Sequence, residues 1–94
     1  MAQEPPSQAQ RNKFYASLTP PSYKRHLAFQ GYAKSLSATN SEGNFDILPL
    51  HENFVTLLNG PIVIVDENNK RHELNVDKAL LEASNNLVKV FVKF

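Results

Sequence analysis

The sequence predicts an all-β fold. Apolar and polar residues alternate over short runs, clusters of turn-forming residues cut those runs at close intervals, and a single stretch favours helix. With 94 residues the chain makes one domain, since domains most often run to roughly 100–150 residues. A chain this short removes only about 60–65% of its unfolded surface from water, which supports one modest core and no deep substrate cleft.

The elements follow in order. Residues 1–12, MAQEPPSQAQRN, contain a proline pair and three glutamines without apolar periodicity, so they are expected to form a disordered tail ahead of a domain over residues 13–94. Phe14, Ala16 and Leu18 alternate with Tyr15 and Ser17 as a half-buried strand. It stops at Thr19-Pro20-Pro21-Ser22, because two prolines offer no ladder donors. Leu27, Phe29, Gly31 and Ala33 share the next face, and Leu36 and Ala38 fall in the opposite phase. That change predicts a bulge or bend between Ala33 and Leu36, with Gly31 suited to the distortion.

Asn59-Gly60-Pro61 breaks the chain again, and Ile62 to Val65 is a β-branched run expected to be buried on nearly both sides. The turn cluster Asp66-Glu67-Asn68-Asn69 joins it to a strand from Arg71 to Val76, making a hairpin. Ser84-Asn85-Asn86 is a second turn. After it Val88, Val90, Val92 and Phe94 occupy one face and Lys89 and Lys93 the other. Residues 77–83, DKALLEA, are the exception: an N-cap candidate precedes strong helix formers, so propensity alone favours two turns of helix, while a partner across the Ser84 turn favours strand. Glycine is scarce, and asparagine takes over turn positions because it tolerates left-handed geometry.

Composition narrows function. Ten basic against nine acidic side chains leave a formal charge of +1, too little to gather nucleic acid or an anionic membrane, and the chain has no cysteine for a thiolate metal site or nucleophile. No apolar run approaches the roughly 18–20 residues that span a bilayer, so no direct membrane insertion is expected. His26, His51 and His72 lack metal-ligand spacing, and two of them sit beside Lys or Arg; no metal site is expected. Glu42, Asp46 and Glu52 could act as paired carboxylates, but turn chemistry accounts for the first two. Gly31, Gly43 and Gly60 are isolated, so no phosphate loop exists. Tyr23, Lys24, Arg25, Phe29 and Tyr32 would suit an oligonucleotide-binding module, the alternative reading. With no reaction centre in view, the chain is expected to act by contact.

One stretch sharpens that expectation. Residues 41–54 read SEGNFDILPLHENF, and Ser41-Glu42-Gly43-x-Phe45-x-Ile47-Leu48-Pro49-x-His51 closely resembles the S/T-E-G-E-F/L-G-I-L-P-G-H-A-P signature of the epsilon subunit of rotary ATP synthases. Leu18-Thr19-Pro20 looks like that family's V-T-P opening, and Leu27-Ala28-Phe29-Gln30-Gly31 like its L-F-x-G element. Glu73-Leu74-Asn75-Val76 with Leu80-Leu81-Glu82 resembles I-A-V-S-G-G-F-L-E-V, and the last strand resembles V-T-V-L. Departures are Asn44 and Asp46 in the E-F-G position, Leu50 where glycine is usual, Glu52-Asn53 for A-P, and Lys78-Ala79 for G-G.

The resemblance implies a flattened β-sandwich of about ten short, mostly antiparallel strands, and it makes residues 77–83 turn plus strand. It implies a non-catalytic rotor subunit of the central stalk, without cofactor, linking the gamma subunit to the membrane c ring and helping couple proton flow to ATP synthesis. Such a subunit is peripheral on the cytoplasmic face of the bacterial inner membrane or the equivalent organellar face, and is not a stable homo-oligomer. The expected interface residues are Ser41, Glu42, Gly43 and Asn44 toward the c ring, with Leu50, His51 and Glu52 toward gamma or the ring. Ile47, Leu48 and Pro49 are expected to seat the segment in the sandwich. The family's C-terminal helical hairpin has no counterpart in residues 13–94, so no helical brake or nucleotide site is expected from them.

Overall fold

The computed structural model describes residues 12–21, 23, 25 and 28–92; all but residue 12 of the tail expected over residues 1–12, and residues 93 and 94, lie outside them. Eight strands, and no α-helix, form among the described residues: β1 Phe14–Thr19, β2 Phe29–Asn40, β3 Gly43–Ile47, β4 Phe54–Asn59, β5 Ile62–Asp66, β6 Arg71–Leu74, β7 Lys78–Ser84 and β8 Leu87–Val92. They make one sheet in the order β4-β7-β8-β1-β2-β5-β6, with β3 also on β2. All pairs are antiparallel except β1 with β8.

The sheet curls into a sandwich because β2 is twelve residues long and serves both halves. Its first half pairs with β1 from Phe29 to Ala33, and its second half pairs with β3 from Leu36 to Asn40. On the other side β5 pairs with β2, and the register slips between Ala33 and Ser35. The extra residue there turns Ala33 and Leu36 to the same interior, where both are fully buried. The expected bulge is therefore present, but Gly31 is not its cause, since Gly31 pairs regularly with Ala16.

One core fills the interior. Phe14, Ala16 and Leu18 of β1 meet Ile62 and Ile64 of β5, Leu81 and Ala83 of β7, and Val88 and Val90 of β8, with Phe29, Phe45 and Phe54 packed around them. β7 is a strand in spite of its helix-forming residues. Ala79, Leu81 and Ala83 are buried while Lys78 and Glu82 are exposed, the period-two pattern that pairing with β4 and β8 imposes. β6 stops at Leu74, two residues short of the expected end, although Val76 still reaches the core.

Asparagine does shape the turns. Asn85 and Asn86 have φ of 52° and 60° between Ser84 and Leu87, which pair across the hairpin. Two left-handed residues in a two-residue loop make the type I′ turn that matches strand twist. Asn69 has φ 66° in the β5–β6 turn.

The strand assignment of β7 predicts unequal costs for adjacent leucines. Leu81→Ala should destabilise by about 2–5 kcal/mol, and Leu80→Ala, on the outer face, by less than about half as much. Urea unfolding of both variants reads the difference; equal losses would contradict the period of two.

Candidate partner interface

The residues expected to meet partners occupy two loops at opposite ends of β3. Across its five residues at about 3.3 Å rise, Gly43 and Ile47 lie roughly 13 Å apart. The structure thus makes two patches of what the sequence presents as one stretch.

The first patch is the β2–β3 turn. Asn40 and Gly43 pair, so Ser41 and Glu42 form its two-residue tip, both exposed. The Asn40 carboxamide oxygen accepts the Glu42 amide N–H at 2.9 Å, a side-chain mimic of a backbone turn. Gly43 follows with φ 119°, a conformation that side chains with Cβ rarely adopt. Along the hairpin Thr39 Oγ1 donates to Asn44 Oδ1 at 2.7 Å and Ser37 Oγ donates to Asp46 Oδ1 at 2.7 Å. Both acceptors are cross-strand partners of their donors. The oxygens of Asn44 and Asp46 are therefore committed to stiffening the turn, while the exposed Glu42 carboxylate has no partner among the described residues.

The second patch is the segment from Leu48 to Asn53. Leu50 has φ 61°, and its amide N–H donates to Asn86 Oδ1 at 2.8 Å. Asn86 also donates through Nδ2 to the Lys13 carbonyl at 2.8 Å, and its own carbonyl accepts the Tyr15 amide at 3.1 Å. One side chain and its backbone thus join the loop, the start of β1 and the β7–β8 turn. Asn53 Oδ1 adds a bond from the Asn85 amide at 3.1 Å.

The His51 ring packs edge-on to Phe14 with centroids 5.7 Å apart, and its Nδ1 donates to the Glu52 carbonyl at 3.1 Å. Its Nε2 is buried and has no hydrogen-bond partner among the described residues. His51 is accordingly a packing residue at the base of the loop, while Leu50 and Glu52 form its exposed surface. Pro49 is half-buried, and Ile47 is buried and seats the segment as expected. Leu48 does not: it is 58% exposed and joins Leu50, 55% exposed, on an apolar loop tip.

No cluster of three or more metal-ligating side chains exists among the described residues. His72 is held by Asp66, whose Oδ2 accepts from Nε2 at 2.8 Å, and its ring rests on Phe29. Asp66 Oδ1 accepts the Asn68 and Lys70 amides, each at 2.9 Å, so this carboxylate organises the β5–β6 turn. The hydrogen bond from His72 first, and the Lys70 and Asn68 amides with it, hold the carboxyl below its ordinary value of 3.8. In the alternative nucleic-acid set, Phe29 packs on the core and Tyr32 sits edge-on to Tyr15 under the Lys13 ammonium. Tyr23 and Arg25 are exposed, and Lys24 lies outside the described residues.

β4 adds residues that the sequence reading did not single out. Its outward side chains, Val55 and Leu57, are each 63% exposed. Apolar residues on both faces of FVTLLN erase the alternation that would have marked the strand.

Two outcomes follow from this geometry. Leu50→Gly should raise stability by about 0.5–1 kcal/mol, because relief of about 1–2 kcal/mol of left-handed strain exceeds the roughly 0.5–1 kcal/mol entropy cost of glycine. Leu50→Ala should give no gain in the same urea titration. Asp66, with its folded pKa lowered, contributes stability above the unfolded value of 3.8 that is lost as pH falls through the folded value. Asp66→Asn should be less stable at neutral pH and lose stability less steeply than the parent between about pH 5 and about pH 2.

Comparison with known proteins agrees with this architecture. The model of the family described as ATP synthase, Delta/Epsilon chain, beta-sandwich domain matches residues 24–94. No curated protein matches the chain by sequence. Among solved structures, a chain of the Euglena gracilis mitochondrial ATP synthase, OSCP/F1/c-ring in rotational state 1, is similar with a TM-score of 0.75 and 16% identity, over 86% of this chain and 51% of that one. A chain of the Tetrahymena thermophila mitochondrial ATP synthase, central stalk/c-ring, has a TM-score of 0.68 and 16% identity, over 90% and 66%. At that identity the likeness is one of fold, and the chain spans between half and two thirds of their length. Since the family model covers most of the chain, and the observed fold is a curled all-β sandwich, this chain belongs to the ATP synthase delta/epsilon chain β-sandwich family.

Proposed function

We propose that the chain is a non-catalytic subunit of the central stalk of a rotary, proton-translocating ATP synthase, set between the gamma subunit and the membrane c ring. One observation carries the reading. The residues most similar to the epsilon signature, Ser41 to His51, fold into two stiffened surface loops around a buried anchor at Ile47, an arrangement for contact.

The β2–β3 turn is the c-ring surface in this reading. Its backbone is fixed by Asn40, Thr39 and Ser37, so little conformational entropy remains to be lost on docking. Glu42 offers an exposed carboxylate and Ser41 a neutral hydroxyl, while Asn44, its oxygen held by Thr39, can present only its amide NH2. The loop carrying Leu50, His51 and Glu52 presents an apolar tip beside a carboxylate, which suits a protein surface with apolar and basic groups; gamma is the partner assigned to it. The complex would place the chain peripherally, on the cytoplasmic face of a bacterial inner membrane or its organellar equivalent, with torque passing through it as a rigid sandwich.

A tagged copy expressed in its own cells should bring down both gamma and the c ring from detergent-solubilised membranes. Glu42→Arg with Asn44→Arg should cut c-ring recovery by roughly tenfold or more, the equivalent of about 1.4 kcal/mol, and leave gamma recovery near the parent level. Recovery of neither partner by the parent chain would end the stalk assignment.

A further inference from the structure

The strands with an unpaired side are finished differently. β6 is four residues long and carries Arg71 and Glu73, and β3 is five residues long and exposes Asn44 and Asp46. Short, charged edges of this kind resist pairing with another chain. β4 has six residues, no charge and no proline. It pairs with β7 alone, and among the described residues no backbone hydrogen bond joins its other side to a strand; on its inner side Thr56 Oγ1 accepts from Asn40 Nδ2 of β2 at 3.2 Å, which leaves the outer side chains Val55 and Leu57 exposed. On the outer face Leu57 pairs with Leu80, and Leu80 with Phe91, so an apolar row runs from the edge across three strands.

We propose that the free edge of β4 pairs, antiparallel about a two-fold axis, with the same edge of a second copy, giving a weak, concentration-dependent dimer of the isolated chain. FVTLLN is its own complement when Thr56 faces its symmetry mate. Val55 then meets Leu57 of the other copy on the outer face, twice, an exposed apolar pair that favours an antiparallel ladder. Charge agrees with this direction. Glu52 precedes β4 and Glu82 lies opposite Val55, whereas Lys78 lies opposite Asn59 at the far end. The two-fold brings the acidic end of each strand to the lysine end of the other.

A formal charge of +1 per copy adds little repulsion. A single six-residue edge falls short of the roughly 1,200 Å² at which stable interfaces begin, which is why the dimer is weak. The inference concerns the free chain and holds or fails independently of the stalk reading.

Sedimentation velocity and cross-linking test it. The average mass should rise from one chain toward two between about 10 µM and about 1 mM. Leu57→Lys, with its fold checked by circular dichroism, should move that midpoint upward by at least ~10-fold. Because the chain has no cysteine, V55C mixed with L57C under mild oxidation should give the mixed disulfide, since facing Cα atoms in an antiparallel pair lie about 4.5–5.5 Å apart. V55C alone should cross-link far less. A chain that stays monomeric throughout overturns the proposal. So does a dimer unaffected by Leu57→Lys, or one in which V55C alone cross-links as readily as the mixture.

Discussion

The constraint on which the rest depends is that one strand, β2, must serve both halves of the sandwich. Its twelve residues pair with β1 over one half and β3 over the other. A regular strand that long would send alternate side chains to one face throughout, and Ala33 and Leu36 could not both point inward. The register slip beside Lys34 resolves the conflict with a single extra residue. Without it Leu36 and Ala38 would face solvent, and β3, which pairs with that half of β2, would lose Ile47 from the core along with them.

From this bend the position of the contact loops follows. β2 ends in the turn at Ser41 and Glu42, and β3 returns only five residues before the chain must cross to reach β4. The crossing is held from outside by Asn86, which takes the Leu50 amide, and from inside by the His51 ring on Phe14. A buried imidazole nitrogen without a partner and a leucine at φ 61° both cost free energy. Each is tolerable because the loop is anchored on both sides. The result is that Leu48 and Leu50 protrude as apolar groups from a loop that cannot retract them.

Much of the sandwich was legible because burial on one face leaves a period of two in the sequence, as in Phe14, Ala16, Leu18 and in Val88, Val90, Val92. β7 shows what such reading lacks. Its local residues favour helix, and the pairing of Leu81 with Val90 across the adjoining hairpin and with Thr56 on β4, distant in sequence, decides the matter. β4 was hidden for the opposite reason, since Val55 and Leu57 are as apolar as the buried Leu58. The two loops stand out in the sequence as turn-rich stretches, but not the length of β3 that separates them. Nor does sequence spacing reveal that Asn44 is bonded to Thr39 or that Leu48 points outward.

The substitutions relative to the family signature then take on separate meanings. Where G-G is usual, Lys78 and Ala79 adopt no left-handed conformation; the strand simply begins there, and Asp77 accepts the Gly60 amide at 3.0 Å to close the β4–β5 end. Leu50, where the signature has glycine, stands at φ 61°, a conformation that glycine would adopt freely. Asn44 lacks the usual carboxylate and uses its oxygen inside the hairpin, which leaves Glu42 as the charged group at that tip.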